Sequence, residues 1–95
     1  MIVQVVKFKT NLSEEEVIDR AREREPQFRA IPGLLQKYYF KTSQPGQFGG
    51  VYVWDSAESM KQFRKSDLAA TIPQAYEVVE APSIEVMDVL FKLRE

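Results

Sequence analysis

Leu34-Leu35-Gln36-Lys37-Tyr38-Tyr39-Phe40-Lys41 and Phe48-Gly49-Gly50-Val51-Tyr52-Val53-Trp54-Asp55 are the two runs that decide the fold. Both are rich in aromatic and branched residues, and Ser43-Gln44-Pro45-Gly46 between them is a turn signal. The pair therefore reads as a β-hairpin. Alternation puts Leu34, Tyr38 and Phe40 on one face of the first run, and Leu35 and Tyr39 on the other. In the second run Val51 and Val53 oppose Tyr52 and Trp54. Neither run has a polar side. The Gly49-Gly50 pair inside a strand signals a bulge or the close approach of another group.

Working outward, Ile2 to Lys9 is a strand with Ile2, Gln4, Val6 and Phe8 on one face. Ser13 followed by Glu16 is a capping box, with Glu14 and Glu15 where a helix dipole favours negative charge. The helix it opens runs to about Ala30. Val17, Ala21, Phe28 and Ile31, with Ile18 beside them, recur at helical spacing. Pro26 is expected to kink or restart it. Beyond the hairpin, Asp55 or Ser56 caps a short helix from Ala57 to about Lys65, with Met60 and Phe63 inward. A helical turn and loop follow around Pro73, and a last strand runs from Ile84 to about Leu93. The order β-α-β-β-α-β predicts an α+β, ferredoxin-like sandwich: a four-stranded antiparallel sheet with two helices on one face.

The chain has 95 residues, a formal net charge of −1, and neither histidine nor cysteine. That length fits one domain spanning 1–95. Disulfides, thiolate nucleophiles, Cys/His zinc sites and a Ser-His-Asp triad are excluded. The near-neutral charge argues against nucleic acid or an anionic membrane as partner. The N-terminus carries no secretory signal pattern, which makes the cytoplasm the expected location. Glu14, Glu15, Glu16 and Asp19 diverge around a first helical turn, so no metal site is expected there.

The strands carry apolar residues on both faces, and two helices can cover only one. The other would leave an aromatic and aliphatic patch larger than a monomer usually shows. A second copy of the chain, its sheet apposed to the first, is the expected cover.

Pro32-Gly33-Leu34, then Lys37 and Tyr39, then Gly49-Gly50-Val51-Tyr52-Val53-Trp54, resemble the putative mono-oxygenase branch of the dimeric α+β barrel superfamily, which includes the antibiotic-biosynthesis mono-oxygenases. The resemblance implies a dimer whose sheets form a barrel, with a small-molecule cavity between sheet and helices. The implied activity is cofactor-independent mono-oxygenation of a small aromatic or hydrophobic substrate that itself supplies electrons to O2. Haem-degrading members use a proximal histidine, absent here, so no cofactor is expected. Within such a cavity Lys37 is a candidate base or anion anchor, because desolvation would lower its pKa. Asp88, flanked by apolar residues, is a candidate carboxylate base. Tyr39, Tyr52 and Trp54 are candidates for stacking on a flat substrate, with Phe28 and Phe63 on the helix side. Gln4 and Gln36 are polar residues on apolar faces that could orient a carbonyl. Core packing remains open for every one of these aromatics, and a solvent-reaching stem for Lys37.

Two other readings stand beside this one. The same element order serves RNA-recognition modules, which the acidic first helix disfavours. A non-catalytic homodimeric module that binds a small ligand, or acts in interactions, would share the fold and the dimer.

Overall fold

The computed structural model describes all 95 residues. Four strands, β1 (Ile2–Lys9), β2 (Leu34–Lys41), β3 (Gln47–Trp54) and β4 (Ser83–Asp88), form one antiparallel sheet in the order β2-β3-β1-β4. Helix α1 (Glu14–Arg29) links β1 to β2, and α2 (Ala57–Arg64) follows β3. Two single-turn helices, α3 (Asp67–Ala70) and α4 (Ile72–Ala75), occupy the stretch expected to be a turn and loop. The ferredoxin-like arrangement read from the sequence is the one observed.

Local chemistry explains the boundaries. Ser13 accepts from the Glu16 amide while Glu16 accepts from the Ser13 amide, closing the capping box. Ser56, not Asp55, caps α2 by accepting from the Ser59 amide. Helix α1 continues through Pro26 as one element and does not restart there. Proline here removes a single N–H close to the helix end, where few bonds remain to be lost. Strand β4 stops at Asp88 rather than near Leu93. Its partner is exhausted there: Ile2 pairs with Asp88, and the Val89 amide to the Met1 carbonyl is the last bond available. Leu90 beyond it is 92% exposed.

The face of β2 also departs from simple alternation. The register shifts between Leu34 and Gln36, a β-bulge that adds one residue to β2. Leu34 pairs with Trp54, Lys37 with Tyr52 and Tyr39 with Gly50. Leu34 therefore shares a face with Lys37 and Tyr39, while Tyr38 and Phe40 lie on the other. The bulge falls in β2, and the glycine pair in β3 marks a close approach instead. A Cβ on Gly49 would collide with the Val6 carbonyl oxygen and lie 2.7 Å from the Phe40 ring.

The core lies between this face and the helices. One cluster joins Ile2, Phe28, Tyr52, Trp54, Met60 and Phe63; a second joins Phe8, Val17, Ala21, Phe48 and Tyr76. The opposite face of the sheet carries Val3, Val5, Val51 and Val53, half-buried, beside Tyr38 at 58% exposed. No helix is long and apolar enough to cross a membrane.

Candidate functional site

Between α1 and the sheet lies a cavity of about 410 Å³. Strands β1 and β3 give it Val6, Phe8, Phe48 and Tyr52, α1 gives Val17 and Ala21, and Tyr76 closes the side after α4. Most of the lining is apolar, the usual character of a small-ligand site, and the volume lies within the usual range. Gly50 leaves room on the floor: a Cβ there would stand 3.1 Å from the Lys37 Cε.

Lys37 enters this cavity from β2. Its Nζ lies 3.8 Å from the Phe28 ring centre, 4.4 Å from that of Tyr39 and 4.5 Å from that of Tyr52. No carboxylate pairs with it; the ion pairs of the molecule use Lys9, Arg20, Arg22, Arg29 and Lys41. The ring faces attract a cation. Burial and then the nearby Arg24 guanidinium oppose the charge more strongly, bringing the Lys37 pKa down to about 7. Burial also pushes the Tyr39 and Tyr52 phenols above their ordinary values and the Tyr76 phenol to about 12. The cavity thus holds neutral phenols and one amine poised near neutrality.

Charges sit at the rim. The Lys41 ammonium donates to Glu14 at 2.7 Å, tying β2 to the start of α1. The Arg22 guanidinium donates to Glu25 at 2.6 Å, and Arg29 to the other oxygen of Glu25 at 3.4 Å. Arg22, Glu25, Lys37 and Tyr39 also line a second, more polar hollow of about 440 Å³. They form a partition between the two spaces.

The candidates from sequence divide accordingly. Lys37, Tyr39 and Tyr52 line the cavity, and Phe28 touches it through the Lys37 ammonium. Trp54 is fully buried behind Tyr52, their rings stacked 5.9 Å apart, and its indole N–H donates to the Gln4 side chain at 3.0 Å. Phe63 packs on Trp54 and Tyr52. Gln36 accepts from the Lys37 amide. Asp88 is exposed at the end of the edge strand and takes no part in the lining. Sequence reasoning missed Arg22, Glu25 and Tyr76. Arg22 and Glu25 sit one step around the helix from Ala21 and Phe28, a position their charge disguised as a solvated face.

A split β-α-β sheet with an apolar cavity beneath its first helix is a ferredoxin-like α+β fold with room for a small ligand. The chain belongs to the family described as putative mono-oxygenase ydhR, whose model matches residues 2–95. Among solved structures, a putative antibiotic biosynthesis monooxygenase from Deinococcus radiodurans superposes with a TM-score of 0.76 at 17% identity, covering 100% of this chain and 98% of that one. A protein of unknown function from Nitrosomonas europaea gives 0.78 at 18%, covering 99% and 93%. SnoaB, a cofactor-independent oxygenase from Streptomyces nogalater, gives 0.77 at 11%, covering 99% and 97%. At these identities the likeness establishes the fold. A search of curated proteins finds no match.

Proposed function

We propose that the protein is a cofactor-independent mono-oxygenase of small aromatic substrates, with Lys37 as its base. The observation that carries this is an amine without a counter-ion, ringed by three aromatic faces inside an apolar cavity. A flat phenol would stack on Tyr39 and Tyr52 and give its proton to the neutral Lys37 amine. The resulting anion reduces O2 directly: the hydroperoxide formed on ring carbon loses water, leaving one oxygen atom in a quinone. Substrate carbon supplies all the electrons. The protein contributes position, exclusion of water and proton transfer. The structural likeness to SnoaB supports the choice of oxygen chemistry.

The functional unit we infer is a homodimer with apposed sheets, since Tyr38, Val51 and Val53 share an uncovered face. The test is O2 uptake with a panel of naphthols and quinols. Uptake by wild type that is lost in Lys37→Met supports the reading. Ligand binding without uptake by any member of the panel would make the chain a binding module.

A further inference from the structure

We propose that Lys37 is also a nucleophile, and that the cavity takes small aromatic aldehydes and ketones and holds them covalently as imines. The inference rests on the proposed function for a ligand in this cavity and an uncharged Lys37 amine, and it requires no oxygen chemistry.

An amine attacks a carbonyl only when its lone pair is free, and most lysines are disqualified by protonation or by an ion pair. Lys37 escapes both. Its Nζ meets ring faces rather than carboxylates, and the two carboxylates that line the cavity, Glu25 and Glu14, are engaged by Arg22 with Arg29 and by Lys41. Lys41 and Lys9, by contrast, are held by Glu14 and Glu80. A desolvated amine beside another cation is a recognised way to keep a lysine uncharged, and Arg24 supplies that cation. The apolar lining admits a neutral carbonyl compound readily and an anion poorly.

The step balances without any co-reactant. The Nζ lone pair forms a bond to the carbonyl carbon, and the C=O π pair moves to oxygen. A nitrogen proton then passes to that oxygen, giving a carbinolamine. Loss of one water leaves the C=N bond. Protonation of this imine restores a cation at the centre of the Phe28, Tyr39 and Tyr52 cage, whose ring faces favour it. Those rings also offer a stacking surface to an aryl group, which is why an aromatic carbonyl is the class expected.

Naphthaldehyde with cyanoborohydride at pH 7 tests this, because the hydride reduces the imine to a stable secondary amine that peptide mass mapping locates. Lys37 is expected to be labelled at least about tenfold faster than any other lysine. Its rate should level off above pH 7 while surface lysines keep accelerating. The titratable and charged groups around it are Tyr39, Tyr52, Arg24, Arg22 and Glu25; burial raises both phenols above their ordinary value, and the mutual hydrogen bond of Arg22 and Glu25 favours the charged form of each. Lys37→Arg keeps a cation in the cage and should leave only the slow background labelling of the Met1 amine and the other lysines. Labelling of Lys37 no faster than the other lysines overturns the inference, even if O2 uptake is seen. Absence of O2 uptake with selective labelling overturns only the oxygenase reading.

Discussion

The Lys37 ammonium nitrogen stands 3.8 Å from the centre of the Phe28 ring, joining the edge strand β2 to the last turn of α1 across the cavity. A cation is held here by π electrons and not by an anion, so its charge is conditional. That condition has thermodynamic consequences.

Because the folded state lowers the Lys37 pKa to about 7, the unfolded chain binds the extra proton between pH 7 and the ordinary lysine range near 10.4. Stability must therefore rise with pH across that window, and the cost is greatest below it, where both states are charged. Lys37→Met removes the cost. The variant should be more stable than wild type at pH 6 by roughly 1–3 kcal/mol, with the gap closing by pH 10. Urea denaturation at several pH values measures it; a gap that does not vary with pH refutes it.

Neighbouring glycines should separate folding from function. Gly49→Ala drives a methyl into the Val6 carbonyl and the Phe40 ring, so it should cost about 2 kcal/mol or more. Gly50→Ala meets the flexible Lys37 Cε at 3.1 Å. It should cost about 1 kcal/mol or less while displacing the amine and lowering activity. Thermal melts paired with O2 uptake distinguish the two.

Gln4 and Trp54 form a polar contact sealed in the core. Gln4→Leu strands the indole N–H and should cost about 1–3 kcal/mol. Trp54→Phe alone strands the Gln4 side chain. The double variant should be more stable than the sum of the single losses predicts, and a double-mutant cycle reads that coupling directly.

Charge on the uncovered sheet face should dissociate the inferred dimer. Val51→Lys places an ammonium beside Val5 and Tyr38, its register partners in β1 and β2. Sedimentation at micromolar concentration should show dimer for wild type and monomer for the variant, both folded. A wild-type monomer would defeat the dimer.

The elements were legible because each rests on short-range chemistry: the Ser13–Glu16 box, the turn at Pro45-Gly46 and the alternation in β1 and β3. Lys37, Tyr39 and Tyr52 could be named from the sequence as candidates to line a cavity, which they do, although a solvent-reaching lysine stem and plain core packing stood equally open there. What the sequence could not carry was register. Tyr52 lies opposite Lys37, not Tyr38 or Tyr39, in a register that runs unbroken from the turn, and the bulge at Leu34/Gln36 then brings Leu34 to the face of Lys37, which alternation does not foresee. Tyr76 was hidden by Pro73, which suggested a loop where two single turns pack the ring against Phe8. Trp54 had the right composition for a binding wall, but its indole N–H was already satisfied by Gln4.

The spacing of residues along β2 also says how this scaffold could change its chemistry. Leu34 and Lys37 share the cavity face although three positions separate them, because the bulge absorbs one residue between them. Removing Leu35 would leave plain alternation with both side chains facing as they do now. A residue lost on the turn side of Lys37 would instead slide Gln36 opposite Tyr52 and send Lys37 to the other surface. The chemistry of the cavity wall thus depends on the length of strand between Lys37 and the turn, with no substitution at either position.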